Sequence, residues 1–321
     1  MTRGKGLLLS VVVPLYNERQ ALEDLHKKLI EEVRRVADDS YEIIFCDDGS
    51  TDGSGQLIKK WAKDNKHLKL LRLSKNFGKE IATTAGIHQA RGQAIITIDA
   101  DGQHPPELIG DFVARWQTGN QVVIGLRTGN QKEGLVKRWG SKMFYGLFNR
   151  FAGLKLVPGS TDFRLIDRSV QADFIKMTEH NRITRGLIDW LGYTRDYIEF
   201  TANPRLHGRA GYSFKKLLKL AVDSTISLSI SPLYVTAYIG VVVLPLSTLL
   251  GMVMIVNAGL GDPLSLHATG SAYVVVLLLF LVGILLVSQG IIGLYLSHIH
   301  TETQNRPLYI VDQTGSENLD E

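Results

Sequence analysis

Short apolar runs alternate with longer amphipathic segments along the first part of the chain. The runs predict strands at residues 8–13, 41–46, 68–73, 94–97 and 121–125, since each has the length of a buried strand. Between the first two runs, Leu22, Leu25, Leu29 and Val33 recur at helical spacing, and further helices are expected after residue 51 and within residues 76–92. This alternation predicts an α/β fold: an open, mostly parallel sheet with helices on both faces.

Polar side chains follow four of these strands at the point where each strand ends. They are Tyr16, Asn17 and Glu18 after the first strand, Asp47 and Asp48 after the second, Asn76 to Lys79 after the third, and Asp99 and Asp101 after the fourth. Ligands of open parallel sheets bind at this edge. No G-x-G-x-x-G follows the first strand and no G-x-x-x-x-G-K-[ST] occurs, so the pattern favours a nucleotide-sugar site over a dinucleotide or ATP-hydrolysing site.

The segment IDADGQHPPE, residues 98–107, carries the most specific chemistry. Asp99 and Asp101 share one face because successive side chains of a strand alternate. Two carboxylates that close destabilise each other unless a cation or hydrogen-bond donors offset them. All-oxygen ligands suit Mg²⁺ or Mn²⁺, which combine one or two carboxylates with substrate phosphates. A solvated acidic turn is the alternative that the motif alone leaves open.

Charge disappears from the later part of the chain. Between Asp223 and Glu302 the only charged residue is Asp262, which leaves uncharged blocks at residues 232–256 and 272–296. Each block exceeds the ~20 apolar residues that span a bilayer as a helix. The alternative, a buried helical hairpin in a soluble protein, would need polar faces that both blocks lack. Two transmembrane helices are therefore expected to follow the α/β domain.

Basic residues set the expected orientation of these spans. Residues 205–219 contain five Lys or Arg and no acid, whereas the loop at residues 257–271 contains neither Lys nor Arg. The positive-inside rule then places the α/β domain and both termini in the cytoplasm, at an inner or plasma membrane. The apolar run at residues 7–15 is interpreted as the first strand, not as a signal peptide. The expected division is a cytoplasmic α/β domain (1–204), a basic juxtamembrane segment (205–231), two spans (232–297) and a cytoplasmic tail (298–321). The polar residues 314–321 are expected to be disordered.

Composition excludes some classes of protein. The net charge of +4 is too small for a nucleic-acid binder without a concentrated basic patch, so no nucleic-acid partner is expected. The single cysteine, Cys46, excludes an internal disulfide and reads as a core thiol. Gly283, Gly290 and Gly293 in the second block permit close helix packing in a homo-oligomer, although packing against the first span explains them equally well.

With these residues collected, the chain resembles a family 2 glycosyltransferase of the GT-A fold, which is a Rossmann-like α/β fold. It is most similar to the polyprenyl-phosphate glycosyltransferases, such as the bactoprenol glucosyltransferases and the dolichyl-phosphate mannose synthases. The resemblance rests on VVVPLYNE (11–18), DDGSTD (47–52), DADGQHPPE (99–107) and TDFRLIDR (161–168). The segments NFGKE (76–80) and GLIDWLGY (186–193) are closest to the bactoprenol branch. Gly102 departs from the apolar residue of many relatives, so the metal loop is expected to be looser while its ligands stay in place.

The resemblance implies roles for individual residues. The nucleotide-sugar site would contain Pro14, Tyr16, Asn17, Glu18, Asp47, Asp48, Lys79, Arg127 and Arg138. The metal ligands would be Asp101 and Gln103, with Asp99 as a further ligand or orienting ribose or a metal-bound water. The catalytic set would be Asp99, Asp101 and Asp162, and the acceptor phosphate would be bound by Arg164, Arg209 and Lys215. For Asp162 and Arg164, a salt bridge within a turn is the alternative.

The implied reaction moves a hexose, with UDP-glucose as the favoured donor, to a polyprenyl phosphate with inversion at the anomeric carbon. A phosphate monoester has a second pKa of about 6 and is already an anion near neutral pH, so a strong general base is less necessary. Two other functions remain open. A processive polysaccharide synthase normally carries Q-x-x-R-W, and the only candidate, residues 135–139, lacks the Gln. A non-catalytic nucleotide-sugar-binding membrane subunit would have little need for acidic metal ligands.

Overall fold

The computed structural model describes residues 8–128, 157, 159–180, 182–201, 256 and 270–319. The chain forms two compact units. The first contains residues 1–149, 154–212 and 306–321, and the second contains residues 150–153 and 213–305.

A seven-stranded sheet forms the centre of the first unit. Its strands are β1 (Leu9–Leu15), β2 (Tyr41–Asp47), β3 (Leu68–Arg72), β4 (Ala94–Thr97), β5 (Val122–Arg127), β6 (Ser160–Asp167) and β7 (Arg195–Phe200). The strand order is β3-β2-β1-β4-β6-β5-β7. Only β6 is antiparallel to its neighbours, and the other pairs are parallel. The predicted α/β fold with a mostly parallel sheet is confirmed, and β6 and β7 extend the five predicted strands.

Helices cover the sheet. They are α1 (Arg19–Ala37), α2 (Ser54–Asp64), α3 (Lys79–Gln89), α4 (Ile109–Gln117, after a 3-10 turn at Pro106–Leu108), α5 (Arg168–Phe174) and α6 (Thr184–Trp190). Every residue of β1 and β2 is buried, as expected of parallel strands covered on both faces. The predicted apolar stripe of α1, from Leu22 to Val33, packs into one of the two core clusters.

The antiparallel strand β6 brings two distant parts of the chain together. Its register pairs Arg164 with Thr97, the last residue of β4. The Thr97 hydroxyl also donates a hydrogen bond of 2.5 Å to the carbonyl oxygen of Asp162. Asp162 therefore lies beside the end of β4, where the D-x-D motif begins.

The carboxy-terminal segment is ordered against the sheet, so the predicted disorder of residues 314–321 is wrong for residues 314–319. Leu70 and Glu317 exchange two backbone hydrogen bonds of 3.0 Å, and the Asp312 N–H donates to the Arg72 carbonyl at 2.8 Å. These contacts satisfy backbone groups along the outer edge of β3, which would otherwise be an unpaired sheet edge. Polar composition misled the prediction because the segment is held by backbone hydrogen bonds to β3 and by polar side chains such as Ser316 and Asn318.

The second unit contains α7 (Gly270–Thr303) among the described residues. The second predicted span, residues 272–296, lies within this helix, whereas the first, residues 232–256, lies outside the described residues except for Val256. In the part of the chain that the structure describes, no helix satisfies the combined length and hydropathy of a membrane span. The two spans, their orientation and the domain boundaries remain predictions.

The burial of His88 leads us to expect that the folding stability depends on pH. Burial, with the nearby Arg182 adding to it, lowers the pKa of His88 to about 4, and its Nδ1 lies 3.2 Å from the Tyr309 hydroxyl of the carboxy-terminal segment. In the unfolded state the His88 imidazole takes up a proton near pH 6.5, whereas in the folded state it does so only near pH 4. Its contribution to the free energy of unfolding is therefore complete above pH 6.5 and falls as the pH drops toward 4. We expect the free energy of unfolding to fall by about 2 kcal/mol over this pH window, which is less than the complete pKa shift of His88 would give.

Thermal melting of the wild type and of His88→Gln at pH 7.5 and pH 5 measures this effect. The variant should lose part of the pH dependence, while His26 and His104, whose pKa values burial also lowers, supply what remains. An unchanged pH dependence in His88→Gln would exclude His88 as the source.

Candidate active site

A lysine joins two carboxylates at the carboxyl edge of the sheet. The Lys79 ammonium, at the start of α3, lies 2.7 Å from Asp99 and 2.9 Å from Asp162. Asp99 follows β4 and Asp162 belongs to β6, so three elements distant in sequence meet at one cation. The Lys79 side chain as a whole is 47% exposed.

The electrostatics of this cluster favour the ionised forms of Asp162 and Lys79. Burial alone would raise the pKa of Asp162, but Lys79, with Arg185 and Arg164 adding to it, lowers that pKa to about 2. Burial would likewise lower the pKa of Lys79, but Asp99 and Asp162 raise it above its ordinary value. Asp162 is thus an anion throughout the neutral range, and so acidic a carboxyl is a weak base.

The second aspartate of the D-x-D motif is part of a different chain of contacts. The Gln103 side-chain amide donates to Asp101 Oδ2 at 2.9 Å, and the Gln103 backbone N–H donates to Asp101 Oδ1 at 3.1 Å. Arg127, at the end of β5, donates to Gln103 Oε1 at 3.2 Å. The structure therefore brings together the three predicted residues Asp101, Gln103 and Arg127.

His104 is a site residue that motif reading missed. Its ring is buried and stacks on Phe163 with the centroids 5.2 Å apart. The Asp99 N–H donates to His104 Nδ1 at 3.3 Å, which assigns the ring proton to Nε2. Burial lowers the pKa of His104, although Asp99 and Asp101 act in the opposite direction. A neutral imidazole thus holds the backbone of the first aspartate.

The residues after β1 and β2 interlock. The Asn17 N–H donates to Ser50 Oγ at 2.9 Å, the Thr51 N–H donates to Asn17 Oδ1 at 2.8 Å, and the Ser50 N–H donates to Asp47 Oδ1 at 2.8 Å. Asn17 has a φ of 56°, in the left-handed region that Asn tolerates better than most residues. Tyr16 is 45% exposed at the same edge, whereas Pro14 is buried within β1 and Glu18 precedes α1.

Asp48 connects this loop to the lysine. Its carboxylate is buried and accepts hydrogen bonds from the N–H groups of Phe77 at 2.7 Å and Gly78 at 2.8 Å. Burial raises the pKa of Asp48, and the two N–H groups partly offset that rise. Because Gly78 directly precedes Lys79, Asp48 fixes the start of α3 from which the lysine reaches the carboxylates.

Arg164 lies below the surface of the site. It is 1% exposed, and its guanidinium donates to the carbonyl oxygens of Thr161 at 3.0 Å and Arg185 at 3.4 Å. Asp189, which the sequence did not single out, lies 3.8 Å from it and 3.5 Å from Arg195. The predicted contact of Arg164 with an acceptor phosphate remains a prediction. Arg138, Arg209 and Lys215 lie outside the described residues.

The fit of a divalent metal depends on the donor atoms present. Within residues 8–128 and the later described segments, no group of three or more His, Cys, Asp or Glu side chains is arranged to hold a metal ion. Asp101 and Gln103 nevertheless offer oxygen atoms that suit Mg²⁺ or Mn²⁺, provided that substrate phosphates complete the ligand set. The residues therefore fit a metal that binds together with a diphosphate.

Comparison with known proteins identifies the family, and the result agrees with the fold and the site. Residues 10–174 match the model of glycosyl transferase family 2, and the chain belongs to this family.

Several relatives match this chain over nearly its whole length and indicate which members of the family it resembles. An uncharacterized glycosyltransferase of Synechocystis is 39% identical over 97% of this chain and 97% of its own length. The SfII prophage-derived bactoprenol glucosyl transferase of Shigella flexneri is 34% identical over 95% of this chain and 98% of its own length. A prophage bactoprenol glucosyl transferase homolog of Escherichia coli is 33% identical over 94% and 98%. The chain is thus a family 2 glycosyltransferase similar to the bactoprenol glucosyl transferases, as its motifs predicted.

Proposed function

We propose that the protein transfers a hexose from a nucleotide diphosphate sugar, UDP-glucose being the favoured donor, to a polyprenyl phosphate. The observation that carries the proposal is the Lys79 ammonium between Asp99 and Asp162, beside the connected Asp101, Gln103 and Arg127. This arrangement presents both signs of charge at the edge of the sheet where ligands of such folds bind. The names of the bactoprenol glucosyl transferase relatives support the choice of acceptor.

Different residues of the site would bind the nucleoside, the diphosphate and the metal ion of the donor complex. Asn17, Asp47 and Asp48 form the interlocked loops on which the nucleoside would lie, with the exposed Tyr16 directly before Asn17 in the chain. Arg127 and Lys79 would face the diphosphate, where positive charge stabilises the departing nucleotide. Asp101 and Gln103 would hold a Mg²⁺ or Mn²⁺ ion, whose chemistry is to neutralise negative charge that develops on the leaving diphosphate.

The acceptor needs little help to become a nucleophile. In the proposed step a phosphate oxygen of the lipid forms a bond to the anomeric carbon, and the bond from that carbon to the diphosphate breaks. The electron pair leaves with the nucleotide diphosphate, and the configuration at carbon inverts. Asp162, already ionised, would position the sugar or the acceptor, in keeping with a role other than strong base.

The membrane part of the proposal rests on the helical segment before the tail. Described residues of α7 include exposed large apolar side chains, namely Val274, Leu278, Leu285, Ile292, Leu294, Leu296 and Ile299. An exposed apolar surface of this extent marks a site of contact with a protein partner or a lipid phase. We propose that residues 232–297 anchor the enzyme by two spans, with the catalytic domain and both termini in the cytoplasm.

Product analysis tests the proposal. The full-length chain in detergent is incubated with UDP-[¹⁴C]glucose, undecaprenyl phosphate and Mn²⁺, with a reaction lacking the lipid as control. Labelled monosaccharide that extracts into organic solvent only when the lipid is present is the expected result. Insoluble polymer would instead indicate a processive synthase, and nucleotide binding without transfer would indicate a binding subunit. A parallel assay with GDP-mannose tests the choice of donor.

A further inference from the structure

The carboxy-terminal segment, residues 306–319, places a carboxylate beside an arginine that reaches toward the donor site. Asp312 Oδ2 lies 3.9 Å from Arg72 Nε at the end of β3. The same nitrogen lies 3.8 Å from Asp47 Oδ2, and Arg72 Nη2 donates to the Ser50 carbonyl at 3.3 Å. One guanidinium thus lies between the tail and the loop that follows β2.

The arginine contacts the part of that loop which the proposed function assigns to the nucleoside. Asp47 is fully buried, and its Oδ2 makes no hydrogen bond within the described residues, so Arg72 supplies the nearby positive charge. Its Oδ1 accepts from the Ser50 N–H, and Ser50 Oγ accepts from the Asn17 N–H. A shift of Arg72 would therefore act on both Asp47 and the carbonyl of Ser50.

The tail also holds the backbone of Arg72 through both its N–H and its carbonyl. The Arg72 N–H donates to Ser316 Oγ at 3.1 Å, and its carbonyl accepts from the Asp312 N–H at 2.8 Å. Farther along, Asn318 donates to the carbonyl oxygens of Ala62 and Leu68 at 2.6 and 2.9 Å. These contacts join residues that are 240 to 256 positions apart in the sequence, so the tail is built into the domain at this point.

Asp312 is held in a defined orientation. Its Oδ1 accepts from the Gly315 N–H at 3.0 Å and from the Thr314 hydroxyl at 2.8 Å, which leaves Oδ2 toward Arg72. These two donors, with Arg72 adding to them, lower the pKa of Asp312 and keep it ionised. The turn and the ion pair therefore use different oxygen atoms of one carboxylate.

We infer that Asp312 is a positioning residue for the donor site, which acts through Arg72 on Asp47 and Ser50. This inference rests on the proposed function, because it assigns the loop after β2 to the nucleoside. The tail then contributes to donor affinity without contacting the donor, and Asp312 and Arg72 form one unit for that purpose.

The substitution Asp312→Asn separates positioning from folding. Asparagine keeps an Oδ1 that accepts from Gly315 and Thr314, so the turn is retained, but its amide presents N–H groups to Arg72 in place of the charge. We expect the KM for the donor and the dissociation constant for UDP to rise about threefold to fivefold, the range of a partly exposed ion pair, with kcat unchanged.

Glu317→Gln is the matched control on the same tail. The Glu317 carboxylate lies 3.8 Å from the Lys59 ammonium and is not among the described ion-pair partners of Arg72. Its backbone bonds to Leu70 do not depend on the side chain. This variant should keep the wild-type donor KM. A double-mutant cycle with Arg72→Gln completes the design: if Asp312 acts through Arg72, Asp312→Asn should have no further effect in the Arg72→Gln background.

The outcomes distinguish two kinds of failure. Wild-type protein that binds no UDP by calorimetry would contradict the proposed function. Wild-type binding with an unchanged dissociation constant in Asp312→Asn would overturn the role of Asp312, as would equal effects of Asp312→Asn with and without Arg72. A fall in kcat with no change in donor KM would also overturn it.

Discussion

Asp101→Ala is expected to reduce kcat at least about a thousandfold, which corresponds to about 4 kcal/mol of transition-state stabilisation. The change removes the carboxylate that would hold the metal with the diphosphate. It also removes both hydrogen bonds that orient Gln103, and with them the contact between Gln103 and Arg127. Asp162→Ala should be less damaging, about a hundredfold or less, because the proposed task of Asp162 is positioning. Both variants are assayed with Mn²⁺ and saturating substrates.

Glu107→Gln is the control for this comparison. Glu107 belongs to the same acidic segment but is exposed in the 3-10 turn that follows it. It should retain wild-type activity and melting temperature. A larger defect in Asp162→Ala than in Asp101→Ala would contradict the proposed division of roles, and so would full activity of the wild type after chelation with EDTA.

The predictable part of the fold has a simple physical origin. The stripe of Leu22, Leu25, Leu29 and Val33 has helical periodicity, and fully apolar runs such as β1 and β2 occur when both faces of a parallel strand are covered. Both signals are local in sequence. The edge at which Asp47, Asp48, Asp99 and Asp101 lie follows from that topology, since carboxyl ends of parallel strands share one edge.

The pairing within the site was not predictable in the same way. Lys79 contacts Asp162 across 83 residues, and that contact depends on β6 entering the sheet antiparallel beside β4. Strand direction has no local signal in the eight residues of β6. The same strand turns Arg164 into the core, where Asp189 accompanies it, although an Asp–x–Arg segment reads from sequence as a surface feature.

The carboxy-terminal segment shows a second limit of sequence reading. Its composition is polar, and low hydrophobicity is the usual mark of disorder. Here the edge of β3 supplies backbone partners, and Tyr309, Val311 and Leu319 pack against the core. Partners elsewhere in the fold thus order a segment whose composition alone predicts disorder.

Lys79→Met is expected to reduce kcat about a hundredfold or more, the effect of removing one preorganised charged donor from an active site. Without the ammonium, Asp99 and Asp162 would face each other across the site with no cation between them in the unliganded enzyme. The pKa of Asp162 should then rise, because Lys79 is the strongest of the charges that lower it. Lys75→Met is the matched control, since Lys75 lies over the Phe77 ring and contacts neither carboxylate among the described interactions.

A second substitution separates the two contributions of the lysine. Asp162→Asn removes one of the opposed charges, so Lys79→Met should lower the melting temperature less in that background than in the wild type. The catalytic loss should persist in both backgrounds, because the lysine would still be missing from the diphosphate. If Asp162→Asn restored kcat to the Lys79→Met variant, the lysine would serve only to hold the two carboxylates together, and its assignment to the donor phosphates would be wrong.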